Sequence, residues 1–298
     1  MDKAPQISII LPVWNGQKYL EGAIQSVLNQ TYRDFQLVIV NDCSTDRSPQ
    51  IAESYAQKDS RIKVIHNIKN LKLPGSLNAG FAEACGAYFT WTSDDNILHP
   101  SFLETLLVEI TTSGADIVYS DFNCIDDEGR FVKVSHVAEA ELLVALNTIG
   151  ASFLYGRRVH EKLGGYDVTK PIYEDYDFWV RAYLAGFKYE RSDKVVYDYR
   201  RHSDSLTVTQ NPAPEYAFYR YGLRKKFKGV KRTSAFEARK ILMGYRSVLG
   251  PIRWFTVLIE AAFYDPFETS KIIFRMVKKV PVKTYSFLAA LKNEHQKT

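Results

Sequence analysis

The chain has 298 residues, of which 46% are hydrophobic and 24% are charged. This is the composition of an ordinary globular protein, and it excludes a disordered, a collagen-like and a disulfide-stapled chain. No apolar run approaches the roughly 18 residues that a membrane-spanning helix needs. The formal net charge is +5.

The charge is distributed unevenly along the chain. Residues 1–210 carry a net charge of −7, whereas residues 211–298 carry +12. The segment Asn211-Pro212-Ala213-Pro214 at this transition has the composition of a linker. We therefore predict a first domain over residues 1–210 and a basic, mainly helical extension over residues 211–298.

The N-terminus and the cysteines favour a cytoplasmic protein. The first five residues lead directly into a strand-like run, so the sequence predicts no signal peptide. Cys43, Cys85 and Cys124 are scattered and form no CxxC motif. Such a set frames neither disulfides nor a zinc site, which indicates a reducing compartment.

Strands and helices alternate over the first hundred residues. The predicted strands cover 7–12, 35–40, 62–65 and 87–92, and the predicted helices begin near residues 19, 48 and 76, the last ending at Cys85 with Gly86 as its stop. This alternation predicts βαβ units, and hence an α/β fold with a mostly parallel sheet covered on both faces. Further strands are predicted at 116–120, 131–134, 151–155 and 195–199, with helices at 139–147 and 173–185.

Polar residues follow three of these strands directly. They are Trp14-Asn15, Asn41-Asp42 and Asp94-Asp95. Ligands bind at the carboxyl ends of the strands in open α/β sheets. We therefore expect the three pairs to meet in one crevice.

Asp94-Asp95 is the sharpest chemical signal in the sequence. Adjacent carboxylates at the end of a buried strand repel each other and lose hydration. Mg²⁺ or Mn²⁺ compensates both effects, since these ions prefer oxygen ligands and often share them with phosphates. The alternative is a solvated acidic turn, but the position at a strand end beside two other polar strand ends favours the metal.

Two later segments carry candidate site residues. Asp175 lies among aromatic residues and other acids at the start of a predicted helix, where a raised pKa suits a general base. The alternative is an amphipathic helix with an acidic N-terminus. Arg200 and Arg201 follow a strand and are typical phosphate partners, and His202 is either a metal ligand or a structural residue.

The sequence resembles family 2 glycosyltransferases over about residues 5–207. The segments that carry the resemblance are 9–16 (IILPVWNG), 40–46 (VNDCSTD), 70–78 (NLKLPGSLN), 92–95 (TSDD), 164–167 (GGYD), 174–181 (EDYDFWVR) and 199–202 (YRRH). The resemblance implies a GT-A fold, a Rossmann-like sheet flanked by helices. It also implies inverting transfer of a sugar from a nucleotide diphosphate donor, with a UDP-sugar favoured.

The resemblance also implies roles for individual residues. The base and the ribose of the donor would be held by residues at the first two strand ends, namely Pro12, Trp14, Asn15 and Asp42. Asp95 matches the metal ligand of the family's DXD region, and His202 matches a histidine that reaches the metal or the diphosphate. Asp175 matches the catalytic base. The metal motif reads Ser-Asp-Asp here, so Asp94 contacts the ribose or metal-bound water in this interpretation.

The sequence lacks the membrane helices and the Q-x-x-R-W-type motif of polymerising members. We therefore expect transfer of a single sugar to a glycan or lipid-linked acceptor in cell-surface glycan biosynthesis. One alternative enzyme is a sugar-phosphate nucleotidyltransferase, but residues 12–15 are not its Gly-rich triphosphate loop. Another alternative is an inactive nucleotide-sugar-binding protein, against which the intact Asp95 and Asp175 argue.

Residues 215–298 are rich in basic and aromatic residues. Apolar and basic residues alternate over 271–279 in a pattern typical of a helix that lies on an anionic membrane surface, here the inner face of the plasma membrane. The alternatives are a helical cap on the first domain and a homo-oligomer interface. No nucleic-acid recognition motif accompanies the charge, so we expect no nucleic acid partner.

Overall fold

The computed structural model describes residues 4–144 and 147–209. The predicted extension at 211–298 and the predicted domain boundary lie outside these residues. No helix in the described part of the chain is both long and apolar enough to cross a membrane.

Eleven strands and seven α-helices make up the described part. The strands are β1 (Ile7–Val13), β2 (Phe35–Asn41), β3 (Ile62–His66), β4 (Tyr88–Trp91), β5 (Ile97–Leu98), β6 (Ile117–Ser120), β7 (Phe122–Ile125), β8 (Phe131–Ser135), β9 (Phe153–Gly156), β10 (Tyr189–Ser192) and β11 (Tyr197–Arg200). The helices are α1 (Leu20–Leu28), α2 (Ser48–Ala56), α3 (Lys72–Ala82), α4 (Phe102–Ser113), α5 (Arg157–Leu163), α6 (Glu174–Leu184) and α7 (Leu206–Thr209), and a 3₁₀ helix covers Ala140–Val144.

The main sheet has seven strands in the order β10-β6-β9-β4-β1-β2-β3. β1 pairs in parallel with β2 and with β4, so the carboxyl ends of these three strands share one edge. Strand β9 is antiparallel to both of its neighbours. The predicted α/β fold with a mostly parallel sheet is confirmed.

Side chains of the main sheet alternate between two apolar cores. Ile10 and Val40 face one core, which is completed by residues of α3, α5 and α6. Ile9 and Leu11 face the other, which is completed by residues of α1, α2 and α4. Burial on both faces explains why these strands are almost continuously apolar. The polar residues that follow these strands lie where the apolar runs end, at the edge of the sheet.

A second sheet, in the order β5-β11-β7-β8, places the segment 200–202 beside the end of β4. Strand β11 pairs antiparallel with β5 and parallel with β7. A tight turn joins β7 to β8, and within it the backbone N–H of Gly129 donates to the carbonyl of Asp126 at 3.1 Å.

The predicted bounds of the third helix were wrong. α3 begins at Lys72 and not at Ser76, because Pro74 fits the first turn of a helix, which needs no N–H there. α3 ends at Ala82, and Gly86 does not terminate it. A Cβ on Gly86 would lie 2.7 Å from the backbone nitrogen of Ser8, so this glycine permits close contact with β1. Where the sequence predicts a helix over 139–147, the structure has a short 3₁₀ helix over Ala140–Val144.

Candidate active site

The loops after β1 and β2 are joined by hydrogen bonds. The backbone N–H of Asp42 donates to the carbonyl of Val13 at 2.9 Å. Asn15 accepts a 2.8 Å hydrogen bond from the N–H of Thr45 through Oδ1, and its own N–H donates to Ser44 Oγ at 3.0 Å. Its φ of 55° is one that asparagine tolerates better than most residues. Asn15 therefore fixes the shape of the two loops.

Asp42 is 4% exposed at the end of β2. Its Oδ1 accepts hydrogen bonds from the N–H of Leu71 and from Asn67 Nδ2, both at 2.8 Å. These two donors fix the carboxylate plane. Oδ2 accepts no hydrogen bond from the residues that the structure describes, which leaves an acceptor for a ligand's N–H or O–H group.

Trp14 is the most exposed of the sequence-predicted apolar site residues, with 56% of its surface accessible. The ammonium group of Lys72 lies 5.9 Å from the centre of its ring. Pro12, by contrast, is buried within β1 opposite Val40. Trp14 can therefore offer a flat face to a ligand, whereas Pro12 shapes the strand end.

Asp94 is half-buried, and its carboxylate packs directly against Gly16. The contact is so close that a Cβ added to Gly16 would overlap the carboxylate. Burial and the negative charges of Asp95 and Asp46 raise the pKa of Asp94 to about 8. The ionised form of a carboxyl group in this position is unfavourable unless a cation is near. The structure thus brings the ends of β1 and β4 together, as the sequence predicts.

The substitution Gly16→Ala is expected to lower the free energy of unfolding by about 1–3 kcal/mol, the usual cost of an overpacked site. Urea unfolding measures this change. Gly22→Ala, inside α1, is the matched control. A Cβ on Gly22 would lie 3.6 Å from Ile97, which is an ordinary van der Waals contact. Alanine is also a better helix former than glycine. Equal losses in both variants would contradict the packing described for Gly16.

Asp95 and His202 form an acid–histidine pair at the end of β4. His202 Nε2 lies 3.0 Å from Asp95 Oδ2, and both side chains are mostly buried. Burial raises the pKa of Asp95, while the hydrogen bond to His202 opposes this shift. The ring of Tyr19 lies 5.1 Å from that of His202 and packs against it.

Arg200 is buried, and its guanidinium donates to backbone carbonyls. Nε donates to the carbonyl of Asp95 at 2.9 Å, and Nη1 to those of Asp126 and Asp127 at 3.1 and 3.0 Å. Arg200 therefore ties the end of β4 to the β7–β8 turn. The side chain of Arg201 is exposed instead, and its backbone N–H donates to Ile125.

Asp175 is half-buried in the first turn of α6. Asn147 Nδ2 donates to its Oδ2 at 2.8 Å, and the backbone N–H of Tyr176 donates to its Oδ1 at 2.6 Å. Burial raises the pKa of Asp175, and these two hydrogen bonds oppose the rise. The carboxylate is therefore held in a fixed orientation with a raised affinity for a proton.

Tyr166 is bonded to the end of β4 and lies within the electrostatic influence of the acids of α6. Its hydroxyl accepts a 2.9 Å hydrogen bond from Trp91 Nε1, at the end of β4 and three residues before Asp94. Burial raises the pKa of Tyr166, and the charges of Asp175 and Glu174 raise it further. Asp175 and Glu174 thus lie close to a residue that is bonded to the end of β4.

Sequence reasoning missed three residues that build this site. Asn147 orients Asp175, Tyr166 bridges to Trp91, and Tyr19 packs on His202. Tyr166 lies in the Gly-Gly-Tyr-Asp segment, so its signal was present. Asn147 and Tyr19 are isolated polar residues in the sequence, and only the tertiary contacts reveal them.

The described part of the chain, residues 4–144 and 147–209, contains no group of three or more His, Cys, Asp or Glu side chains arranged to hold a metal ion. Asp95 nevertheless offers a carboxylate and His202 an imidazole, and Asp95 Oδ2 lies 3.0 Å from His202 Nε2. Two protein ligands suit a Mg²⁺ or Mn²⁺ ion that takes its remaining ligands from phosphates and water. The residues present therefore fit such an ion.

A family model described as glycosyl transferase family 2 matches residues 8–170. The chain belongs to this family. An uncharacterized glycosyltransferase of Rickettsia typhi is 31% identical to our glycosyltransferase over 244 residues, which are 75% of this chain and 73% of the relative. One from Rickettsia felis is 32% identical over 192 residues, 59% of this chain. That alignment covers 31% of the Rickettsia felis protein, so the glycosyltransferase spans about a third of its length.

Solved structures share the fold of the glycosyltransferase. S. aureus TarS 1–349 in complex with UDP-GlcNAc has a TM-score of 0.66 at 19% identity, over 89% of this chain and 82% of that one. The mannosyltransferase PcManGT from Pyrobaculum calidifontis, in complex with GDP-Man and Mn²⁺, has a TM-score of 0.61 at 16% identity, over 99% of this chain and 89% of that one. The expected GT-A fold and glycosyltransferase class are confirmed.

Proposed function

We propose that this glycosyltransferase moves a single sugar, with inversion, from a nucleotide diphosphate sugar to an acceptor hydroxyl. The observation that carries the proposal is the environment of Asp175. It is a carboxylate oriented by Asn147, with a raised pKa, beside the Tyr166–Trp91 link to the acidic end of β4. Such a group accepts a proton from a hydroxyl as that hydroxyl attacks. Attack on the face opposite the leaving group inverts the anomeric centre without a covalent intermediate.

Donor recognition is proposed at the ends of β1 and β2. The Oδ2 acceptor of Asp42 suits an N–H group of a base or a ribose hydroxyl, and the exposed ring of Trp14 suits stacking on the base. The structural neighbours bind UDP-GlcNAc and GDP-Man, which supports a nucleotide-sugar donor. We favour a UDP-sugar. Pro12 and Asn15 shape this region, and Arg201 is the exposed cation available to the diphosphate.

The metal role is proposed for Asp95 and His202, with Asp94 contacting the ribose or metal-bound water. A neighbour carries Mn²⁺, which supports Mn²⁺ or Mg²⁺ as the cofactor. A divalent ion there supplies positive charge to the leaving diphosphate. Arg200 has another task in this proposal, because its guanidinium fixes the backbone of Asp95 and of the β7–β8 turn.

The acceptor is proposed to be a glycan or lipid-linked saccharide of the cell surface, modified from the cytoplasmic side. Residues 215–298 would bind the anionic inner leaflet, to which each Lys or Arg near the surface contributes about 1 kcal/mol. Salt-sensitive co-sedimentation with anionic, but not neutral, vesicles is the expected result. Salt-independent self-association would instead support the homo-oligomer alternative for this segment.

Hydrolysis and binding of a donor panel test the proposed function. We expect one of UDP-, GDP- and dTDP-sugars to bind in calorimetry and to be hydrolysed slowly to the nucleoside diphosphate. Binding without hydrolysis or transfer to any acceptor would support an inactive binding protein. Release of pyrophosphate from a nucleoside triphosphate and a sugar phosphate would support a nucleotidyltransferase instead.

A further inference from the structure

Glu174 is a buried carboxyl group directly beside the proposed base. It is the first residue of α6 and is 3% exposed. Its Oε2 is buried and has no hydrogen-bond partner among the described residues. The carboxyl group accepts hydrogen bonds from two backbone N–H groups, its own and that of Ile172. An ionised group in this position would have one oxygen without hydration or a donor, which is costly.

Asp175 is placed differently, although it is the next residue. Each of its oxygens accepts a hydrogen bond, one from Asn147 Nδ2 and one from the N–H of Tyr176. It is also less buried than Glu174. Hydrogen bonds to a carboxylate stabilise its charged form. The pair is therefore asymmetric, with the better solvated and better bonded charge on Asp175.

We propose that Glu174 holds the single proton of this carboxyl pair and thereby keeps the negative charge on Asp175. This makes Glu174 a positioning residue for the base, and the inference rests on the proposed role of Asp175. Two adjacent carboxyl groups in a poorly hydrated site do not ionise together, and their different surroundings decide which one ionises first. Burial and the charge of Asp175 raise the pKa of Glu174, in agreement with this assignment.

Among the residues that the structure describes, no cation forms an ion pair with Glu174 that would reverse the assignment. The titratable groups that face it are Asp175 on its own helix and the hydroxyl of Tyr166 on the adjoining loop. Arg181, the basic residue of α6, pairs with Asp177 at 2.6 Å. Within residues 4–144 and 147–209, neither Glu174 nor Asp175 forms an ion pair.

Glu174 also holds the backbone that leads into the base. Ile172 has a φ of 82°, a left-handed conformation that a β-branched residue rarely adopts. Its N–H donates to the carboxyl group of Glu174, and a neutral carboxylic acid can accept this bond through its carbonyl oxygen. A glutamine has the same shape, stays neutral and offers the same acceptor. Glu174→Gln therefore mimics the proposed state, whereas Glu174→Ala removes the contact.

The kinetic test compares these variants by steady-state transfer across pH. Glu174→Ala is expected to lower transfer by about 10–10²-fold, the scale of a misplaced catalytic group, and Glu174→Gln to restore most of it. The acidic limb of the pH profile of kcat/KM should coincide in Glu174→Gln and wild type, because Asp175 has a neutral neighbour in both. A limb shifted to lower pH in Glu174→Gln would overturn the proposal, since it would show that Glu174 is charged.

Infrared spectroscopy tests the same assignment without relying on activity. The difference spectrum of wild type minus Glu174→Gln at neutral pH should contain the carbonyl band of a protonated carboxylic acid. Glu161→Gln, an exposed site on α5, is the matched control and should give no such band. Absence of the band from the Glu174→Gln difference spectrum would overturn the proposal. Full transfer activity in Asp175→Asn would instead overturn the proposed function, so the two failures are distinguishable.

Discussion

Replacing Asp175 with Asn is expected to reduce sugar transfer by ~10²–10⁴-fold while donor binding persists. The amide has nearly the shape of the carboxylate but cannot accept the proton of the acceptor hydroxyl. The hydrogen bond from the N–H of Tyr176 can persist, because Asn also offers an acceptor oxygen. Steady-state transfer assays give the rate, and calorimetry with the donor gives the affinity.

Asp193→Asn is the control for this prediction, since the side chain of Asp193 is 83% exposed. Its transfer rate should equal that of wild type. If Asp175→Asn loses donor affinity as much as it loses rate, Asp175 is a binding or structural residue and the base lies elsewhere. A thermal unfolding midpoint close to that of wild type separates loss of chemistry from loss of fold.

Replacing Asp95 with Ala is expected to lower transfer by at least ~10²-fold, the scale for loss of one electrostatic stabiliser. The fold should persist, because burial raises the pKa of Asp95. An acid whose pKa is higher in the folded than in the unfolded state destabilises the fold at neutral pH, when it is ionised. Removal of this charge therefore should not lower the unfolding midpoint.

Chelation and metal binding provide the matching measurements. EDTA should abolish transfer by wild type, and added Mn²⁺ or Mg²⁺ should restore it. Mn²⁺ binding, followed by its relaxation effect on water protons in the presence of the donor's nucleoside diphosphate, should weaken in Asp95→Ala and in His202→Ala alike. Full activity of wild type in EDTA, or of Asp95→Ala, would reject the metal assignment.

The sequence by itself determined the sheet and the edge of it at which the polar residues collect. Runs such as Ile7–Val13 and Phe35–Asn41 are buried on both faces. They are therefore almost continuously apolar, and the strands can be recognised from the sequence alone. A polar pair that follows such a run must lie where the strand leaves the core. This is why Asp42 and Asp94 could be assigned to one crevice without knowledge of any contact.

Tertiary structure decided which groups the side chains of that crevice contact. His202 lies 107 residues from Asp95 in sequence, and the pairing of β11 with β5 and β7 brings the two together. Arg200 has the sequence signature of a phosphate ligand, yet carbonyls of two other loops occupy its guanidinium. The local sequence shows which charge a residue carries but not which group it contacts, since the contacting groups come from distant segments of the chain.

The division between Glu174 and Asp175 shows the same limit most clearly. The sequence presents two adjacent acids at the start of a helix and cannot distinguish their protonation. Asn147, 28 residues from Asp175, donates to that carboxylate, whereas one oxygen of Glu174 has no partner in the described part of the chain. Affinity for a proton depends on burial and on donors from other elements, and these exist only after the chain has folded.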